Sequence, residues 1–301
     1  MKATAEAEVF PSLEKALRDR HVLVEEALRR LAPASDSPEV LAAAMDSLLA
    51  PSKRLRPILA LLVAEVLGGE PRSILPAACA VEMAHTSSLI LDDLPSMDNG
   101  KERRGRPACH IAHGESTAIL AAFALLNRGY EILAEGWPGG PSTTGRAAIA
   151  QDLARAVGAV GMVAGQARDL AMTDRNIDFP TLEFIHSRKT GALFIAAAAV
   201  GAAAAGASPT ARQAVTAYAK NLGLAFQIVD DLIDATGAAS EAGKDVGKDL
   251  KKTTFVSFAG IAGARQLAAE LIEASQRALE PFGAAAQPLR DLARYVIARR
   301  R

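Results

Sequence analysis

Apolar residues recur at intervals of three and four along most of this chain, and nowhere do they alternate with polar ones for long enough to make a convincing strand. In the first such run, Leu13, Leu17, His21, Val24, Leu28 and Leu31 are separated by charged residues, the pattern of an amphipathic surface helix. Pro38-Glu39 opens a second helix toward Leu49. Pro57 opens a third, stopped by Gly68-Gly69, and Pro76 begins a fourth that runs to about Asp93. Punctuation then returns at Pro95, Pro107, Gly136–Gly145, Pro180, Pro209, Gly237 and Pro281. Alanine supplies 64 of the 301 residues and aromatic residues only 4%, which favours helix over sheet. The fold class expected is therefore all-α. The loosest segments are Trp137–Gly145, read as a connection between helices, and Gly237–Gly247, read as a polar loop following an acidic motif.

Charge removes some function classes. Thirty-four basic residues balance thirty-four acidic ones, so the basic excess of a nucleic-acid binder is missing, and few aromatics are available to stack on bases. Two cysteines, Cys79 and Cys109, make no disulfide framework and fit a reducing compartment. Acids within the first eight residues interrupt any signal-peptide core, and the expected location is the cytoplasm. Gly191–Ala207 is 17 residues without a charge, but Ala and Gly supply little transfer energy. It is read as a small-residue helix inside a helical core, not a transmembrane segment.

Two aspartate clusters each follow an apolar helical run: Asp92-Asp93-Leu94-Pro95-Ser96-Met97-Asp98 and Asp230-Asp231-Leu232-Ile233-Asp234. Asp230 and Asp234 are four apart and share a helix face with Gln227. Pro95 places Asp98 beyond the helix end, curling back toward Asp92. One such cluster reads equally well as a solvated helix end. Two repeat the same self-repulsion, and a hard divalent cation relieves it.

Basic residues are grouped as well. Lys53, Arg54 and Arg56 precede a helix; Arg103, Arg104 and Arg106 follow the first aspartates; Lys189-Thr190 closes a segment. Lys244, Lys248, Lys251 and Lys252 follow the second cluster. Beside metal-binding carboxylates, such groups suit phosphate or diphosphate, with arginine as a bidentate clamp. His85, seven before Asp92 on the same helix, reads either as structural or as a donor to a phosphate. There is no nucleophile triad, no Walker loop and no zinc spacing. These residues point to a helical, Mg²⁺-dependent site for two or more phosphate groups beside an apolar interior.

The motifs resemble those of the trans-isoprenyl diphosphate synthases, particularly bacterial geranylgeranyl diphosphate synthases of the carotenoid type. The matching strings are KRLRP (53–57), EMAHTSSLILDDLPSMDN (82–99), RRGRP (103–107), GMVAGQARDL (161–170), HSRKTGALF (186–194), GLAFQIVDDLID (223–234) and GKDVGKDLKKTTF (243–255), in the family's order. The resemblance implies a single polyprenyl synthetase domain over 1–301. It implies the isoprenoid synthase fold, roughly a dozen helices around a central apolar cavity, in a homodimer. It assigns Mg²⁺, three ions per active site, to Asp92, Asp93 and Asp98 and to Asp230, with Asp231 and Asp234 as direct or water-mediated supports. Arg103, Lys189, Thr190, Gln227, Lys244 and Lys252 would hold the allylic diphosphate (dimethylallyl, geranyl or farnesyl). Lys53, Arg56, His85 and Arg104 would hold isopentenyl diphosphate. Ionisation of the allylic diphosphate gives a cation that the isopentenyl double bond attacks, and the departing diphosphate takes the proton. Ser52, Leu91 and Phe123 depart from common family residues without touching these roles.

The same resemblance ties product length to cavity depth below the first aspartates. Ser87 and Ser88 stand five and four before Asp92, where short-chain members tend to carry an aromatic, and Ala84 and Val81 follow on that face. A twenty-carbon product is expected, with Phe123 or Met83 as candidate floor. A farnesyl or longer-chain synthase is the alternative. A class I terpene synthase would carry a different second metal motif, and a non-catalytic subunit would usually lose one aspartate motif.

Overall fold

The computed structural model describes residues 11–240 and 253–299. Thirteen α-helices dominate it, and the described residues divide into two compact units. One unit runs to Leu153 and adds Ala199–Ala207; the other comprises Ala154–Ala198 and the chain from Ser208 on.

In the first unit, α1 (Pro11–Leu31), α2 (Pro38–Leu48), α3 (Leu55–Val66) and α6 (Glu115–Glu135) pack around α4 (Pro71–Asp92). α4 is apolar on nearly every side, as a central helix must be, and Ile74, Leu75 and the run Ala77–Ala84 are buried. It begins five residues earlier than expected. Glu70 caps it by accepting from the Arg72 N–H, and Pro71 takes the first turn. Pro76 thus lies inside the helix, where its missing N–H takes one helical hydrogen bond from the Arg72 carbonyl. Two further differences appear in this unit. α3 starts at Leu55, two residues before Pro57, and the arginine-rich segment forms a minimal hairpin, β1 (Glu102–Arg103) against β2 (Arg106–Pro107). Its turn residues Arg104 and Gly105 both have positive φ, the type I′ pattern, whose cue is a glycine in a two-residue loop and not an apolar alternation. After the short α5 (Cys109–His113) and α6, Trp137 donates to the Ser73 carbonyl at 2.6 Å and pins the connection to α7 (Thr143–Val157).

In the second unit, α11 (Pro209–Ser240) pairs along its length with α12 (Phe255–Ala278). α8 (Met162–Ala171), α9 (Phe179–His186) and α13 (Gln287–Ala298) complete it. Leu182, Leu224, Ile228, Val229 and Phe255 form a buried cluster. The Tyr218 hydroxyl donates to the Leu289 carbonyl at 2.7 Å, tying α11 to α13. α11 continues through Gly237, so the start of the expected polar loop is helical; residues 241–252, including Lys244, Lys248, Lys251 and Lys252, lie outside the described residues.

The uncharged stretch becomes α10 (Ala192–Ala204), 13 residues with Phe194, Ala196–Ala198 and Val200 buried. By length and composition alone, α4, α6, the stretch Thr143–Ala171 and α12 are apolar enough to cross a membrane, and 72% of the window in α4 is buried in the protein.

Candidate active site

Each unit carries one aspartate cluster. In the first, α4 ends at Asp92 and the chain reverses at once. The Asp98 N–H donates to the Asp92 carbonyl at 2.9 Å, and the Asn99 N–H, at a residue with φ of 51°, donates to the Leu94 carbonyl. Asp98 therefore folds back over the helix end, as its spacing predicts, with Asp92 half-buried and Asp98 exposed. Asp93 differs. Its carboxylate is buried and accepts from Nε of Arg103 at 3.0 Å and from Nη2 of the same guanidinium. Expected as a metal ligand and a diphosphate clamp, Asp93 and Arg103 here satisfy one another.

Behind Asp92, the same helix gathers the basic residues. The Arg56 guanidinium lies 3.1 Å from Nε2 of His85. Burial, then the nearby charges of Arg56, Arg104 and Arg103, push the His85 imidazole well below its ordinary value, so the ring is neutral. Arg104 reaches Glu82, one turn before His85, at 3.9 Å. Three of the four residues assigned to isopentenyl diphosphate are thus neighbours along α4, while Lys53 is exposed. Arg54, given no role by the motif, turns inward and is 1% exposed.

Of the residues assigned to product length, Ser87 and Ala84 are buried, and the half-buried Ser88 turns its hydroxyl onto the His85 carbonyl at 2.7 Å. A pocket of about 180 Å³ follows an adjacent stripe of α4, lined by Thr86, Leu89, Ile90 and Asp93 together with Arg103 and Arg104. Met83 is fully buried, whereas Phe123 is 59% exposed.

In the second unit a π-helical turn, Ser187–Gly191, interrupts the helical path between α9 and α10 and carries Lys189 and Thr190. Such turns are rare and concentrate at functional sites. Gly165 of α8 makes room for this one: a Cβ there would stand 2.3 Å from the Lys189 amide nitrogen. Lys189 pairs with Asp169 at 2.8 Å, and the Thr190 hydroxyl donates to Oε1 of Gln227 at 2.8 Å. Gln227 in turn donates to Asp231 at 3.0 Å, and the other Asp231 oxygen accepts the Phe255 N–H at 2.9 Å. No cation faces Asp231 in these bonds, and burial raises its carboxyl to about 6. Asp230, at the next position, meets Arg299 at 2.8 Å; that arginine also stacks on Phe226 and donates to the Phe226 carbonyl. Asp234 is exposed.

The motifs alone do not point to four of these participants: Arg54 and Glu82 in the first unit, and Asp169 and Arg299 in the second. Asp169 lies inside a matched string without an assigned role, and Arg299 lies outside every string. Their roles depend on partners 20 and 69 positions away in sequence.

The donors suit magnesium. Both clusters present carboxylate oxygens, the hard donors such an ion prefers. Mg²⁺ asks for this arrangement, taking one or two carboxylates and completing its octahedron with water and substrate phosphate.

Comparison with known proteins shows the family. The polyprenyl synthetase family model matches residues 38–281. A dimethylallyltranstransferase of Fischerella ambigua is 44% identical over 292 residues, 96% of this chain and 84% of that protein. A geranylgeranyl diphosphate synthase of Cyanophora paradoxa is 41% identical over 94% of this chain and 95% of its own. The crystal structure of an FPP/GFPP synthase from Zymomonas mobilis superposes with a TM-score of 0.82 at 34% identity, covering 95% of this chain and 97% of that one, so the fold is the isoprenoid synthase fold. Sequence motifs, helical architecture and these matches converge, and the chain belongs to the polyprenyl synthetase family, whose members are trans-prenyltransferases.

Proposed function

We propose that the chain joins isopentenyl diphosphate head to tail with an allylic diphosphate and that its product is the twenty-carbon geranylgeranyl diphosphate. The observation carrying this reading is the make-up of α4 and its neighbours: it ends in Asp92, carries His85 against Arg56 of α3 with Arg104 beside it, and keeps Ser87, Ser88 and Ala84 small. The name of the Cyanophora relative supports the product length.

Asp92, Asp98, Asp230 and Asp234 would hold Mg²⁺, three ions in all, with Asp93 and Asp231 bracing their neighbours from buried positions. Bound magnesium neutralises the charge that develops on the departing diphosphate. Lys189 and Thr190, presented by the π-helical turn, bind and orient the allylic diphosphate, with Gln227 steadying Thr190. Lys244 and Lys252 are assigned to the same diphosphate by the family motif. Lys53, Arg56 and Arg104 bind isopentenyl diphosphate as cations, and neutral His85 donates one hydrogen bond to it. The reaction needs no basic side chain of the chain's own if the departing diphosphate accepts the proton.

The two units are proposed to form one polyprenyl synthetase domain in a cytoplasmic homodimer. Free, buried cysteines support the reducing compartment, and the exposed apolar residues Ile119, Leu120 and Phe123 on α6 support the dimer. Light scattering on the purified protein checks the latter.

The test incubates enzyme, Mg²⁺, farnesyl diphosphate and labelled isopentenyl diphosphate. A labelled twenty-carbon product is expected, and failure to extend farnesyl diphosphate overturns the assigned length. Ser87→Phe is expected to shorten the product; an unchanged profile shows that Ser87 does not set it.

A further inference from the structure

We propose that Glu82 is a positioning residue for isopentenyl diphosphate, aiming Arg104 while Arg54 holds Glu82 in place. The inference rests on the reading of Arg104 as a ligand of that diphosphate. Glu82 is 1% exposed, and a carboxylate so buried persists only when cations meet it. Two arginines do, and they meet it differently. Arg54 is committed to the protein: Nη1 donates to Glu82 at 2.7 Å, Nε to Glu25 at 2.7 Å, and Nη2 to the carbonyls of Leu48 and Ala50 at 2.6 and 3.2 Å. Its burial keeps what remains of the guanidinium from an incoming anion. Arg104 stands 3.9 Å from the same carboxylate oxygen, an ion pair without a hydrogen bond, which leaves its guanidinium donors for a phosphate.

The backbone supports the pairing. Arg54 and Arg104 are two of only four non-glycine residues with positive φ among those described, at 48° and 56°, and both point to Glu82. Side chains tolerate that conformation at a cost, which the surrounding structure must meet. Arg54 is held there by two carboxylates and two carbonyls, and Arg104 by the hairpin turn. His85 lies three residues after Glu82 on the same face of α4 and meets Arg56, so the two contacts are stacked one turn apart. Glu82 thus ties α1, through Arg54 and Glu25, to the hairpin that carries Arg104.

The test compares Glu82→Gln with Glu25→Gln. Glutamine at 82 can still accept from Arg54 but no longer attracts Arg104; glutamine at 25 weakens the support of Arg54 without touching Arg104. Binding of isopentenyl diphosphate alone, which does not react without an allylic partner, is measured by calorimetry, alongside kcat, both KM values and thermal melting. Glu82→Gln is expected to weaken isopentenyl diphosphate binding and raise its KM about tenfold, the effect of roughly one charge-assisted contact, with the allylic KM within about twofold. Glu25→Gln, one contact further from Arg104, is expected to lower the melting temperature and to weaken isopentenyl diphosphate binding clearly less than Glu82→Gln does. The proposal is overturned if Glu82→Gln leaves that binding intact, raises both KM values alike, or matches Glu25→Gln in every readout. Should Glu82→Gln not fold, Glu82→Asp takes its place: the charge is kept, its reach is shortened, and a selective rise in the isopentenyl KM is again expected. If the wild-type protein itself binds no isopentenyl diphosphate, the functional reading fails, which is a separate outcome.

Discussion

The two aspartate clusters share a sequence pattern, a pair of aspartates at or near the end of an apolar run, yet their inner residues are treated in opposite ways. Asp93 is buried against the Arg103 guanidinium in a bidentate ionic contact. Asp231 is also buried, but its carboxylate accepts from an amide side chain and a backbone N–H, both neutral, and its proton affinity rises. The outer members are alike in each unit: Asp92 and Asp230 are partly exposed, Asp98 and Asp234 exposed. A doubled aspartate therefore divides into one carboxylate buried as a brace and one left nearer the surface. The brace can be ionic or neutral.

The largest effect should come from the outer carboxylates, where the clusters are predicted to behave identically. Asp92→Asn and Asp230→Asn are each expected to lower kcat by about three orders of magnitude, the scale of losing one preorganised stabiliser of developing charge. Steady-state assays with labelled isopentenyl diphosphate measure this. A variant within tenfold of wild type would show that its cluster does not hold metal for the reaction.

The inner residues should separate the clusters. Arg103→Met leaves the Asp93 carboxylate buried and alone, at an expected cost of about 3 kcal/mol. Gln227→Leu takes one neutral donor from Asp231, at an expected cost of about 1 kcal/mol. Urea unfolding of the two variants, in EDTA, compares them; equal losses would erase the distinction between ionic and neutral bracing.

A third comparison is a matter of pH. With its carboxyl raised from 3.8 to about 6, Asp231 binds its proton more tightly in the folded than in the unfolded chain. The resulting stabilisation is complete below about pH 4 and is lost as pH rises through 6. Asparagine at 231 cannot titrate. In EDTA, wild type should therefore lose about 2 kcal/mol relative to Asp231→Asn between pH 4 and pH 7. A difference that does not change with pH would show that Asp231 stays ionised.

Much of this site is legible in the amino-acid order. The return of Asp98 to Asp92 follows from Pro95, and the company Gln227 keeps with the second aspartates follows from helical spacing. The family motif groups Thr190 with Gln227. Other features carry no local signal. The type I′ hairpin occupies two residues per strand, too few for an alternation to show. The π-helical turn reads in sequence like ordinary helix, and Gly165, which makes room for it, sits 22 residues before it. The start of α4 differs from the expectation because proline is acceptable in a first turn or just after it, so Pro71 and Pro76 compete as openers. Glu70 as a cap is also less familiar than serine or aspartate.

By itself, then, the sequence determined the all-helical class, the two carboxylate clusters and the basic company of the first. Those depend on periodicity and on spacings of three, four and seven, which the geometry of a helix converts directly into shared faces. Tertiary structure alone decided which charges are spent on the protein and which are offered outward. Arg54 and Arg56, two positions apart, look interchangeable as residues, yet one is spent inside and the other meets His85. Arg103 and Arg104 are adjacent, yet one braces Asp93 and the other lies 3.9 Å from Glu82. The physical reason is burial. In water these cations would be equivalent, and only the low-dielectric interior, assembled from segments distant in sequence, makes the choice of partner worth enough free energy to fix a role.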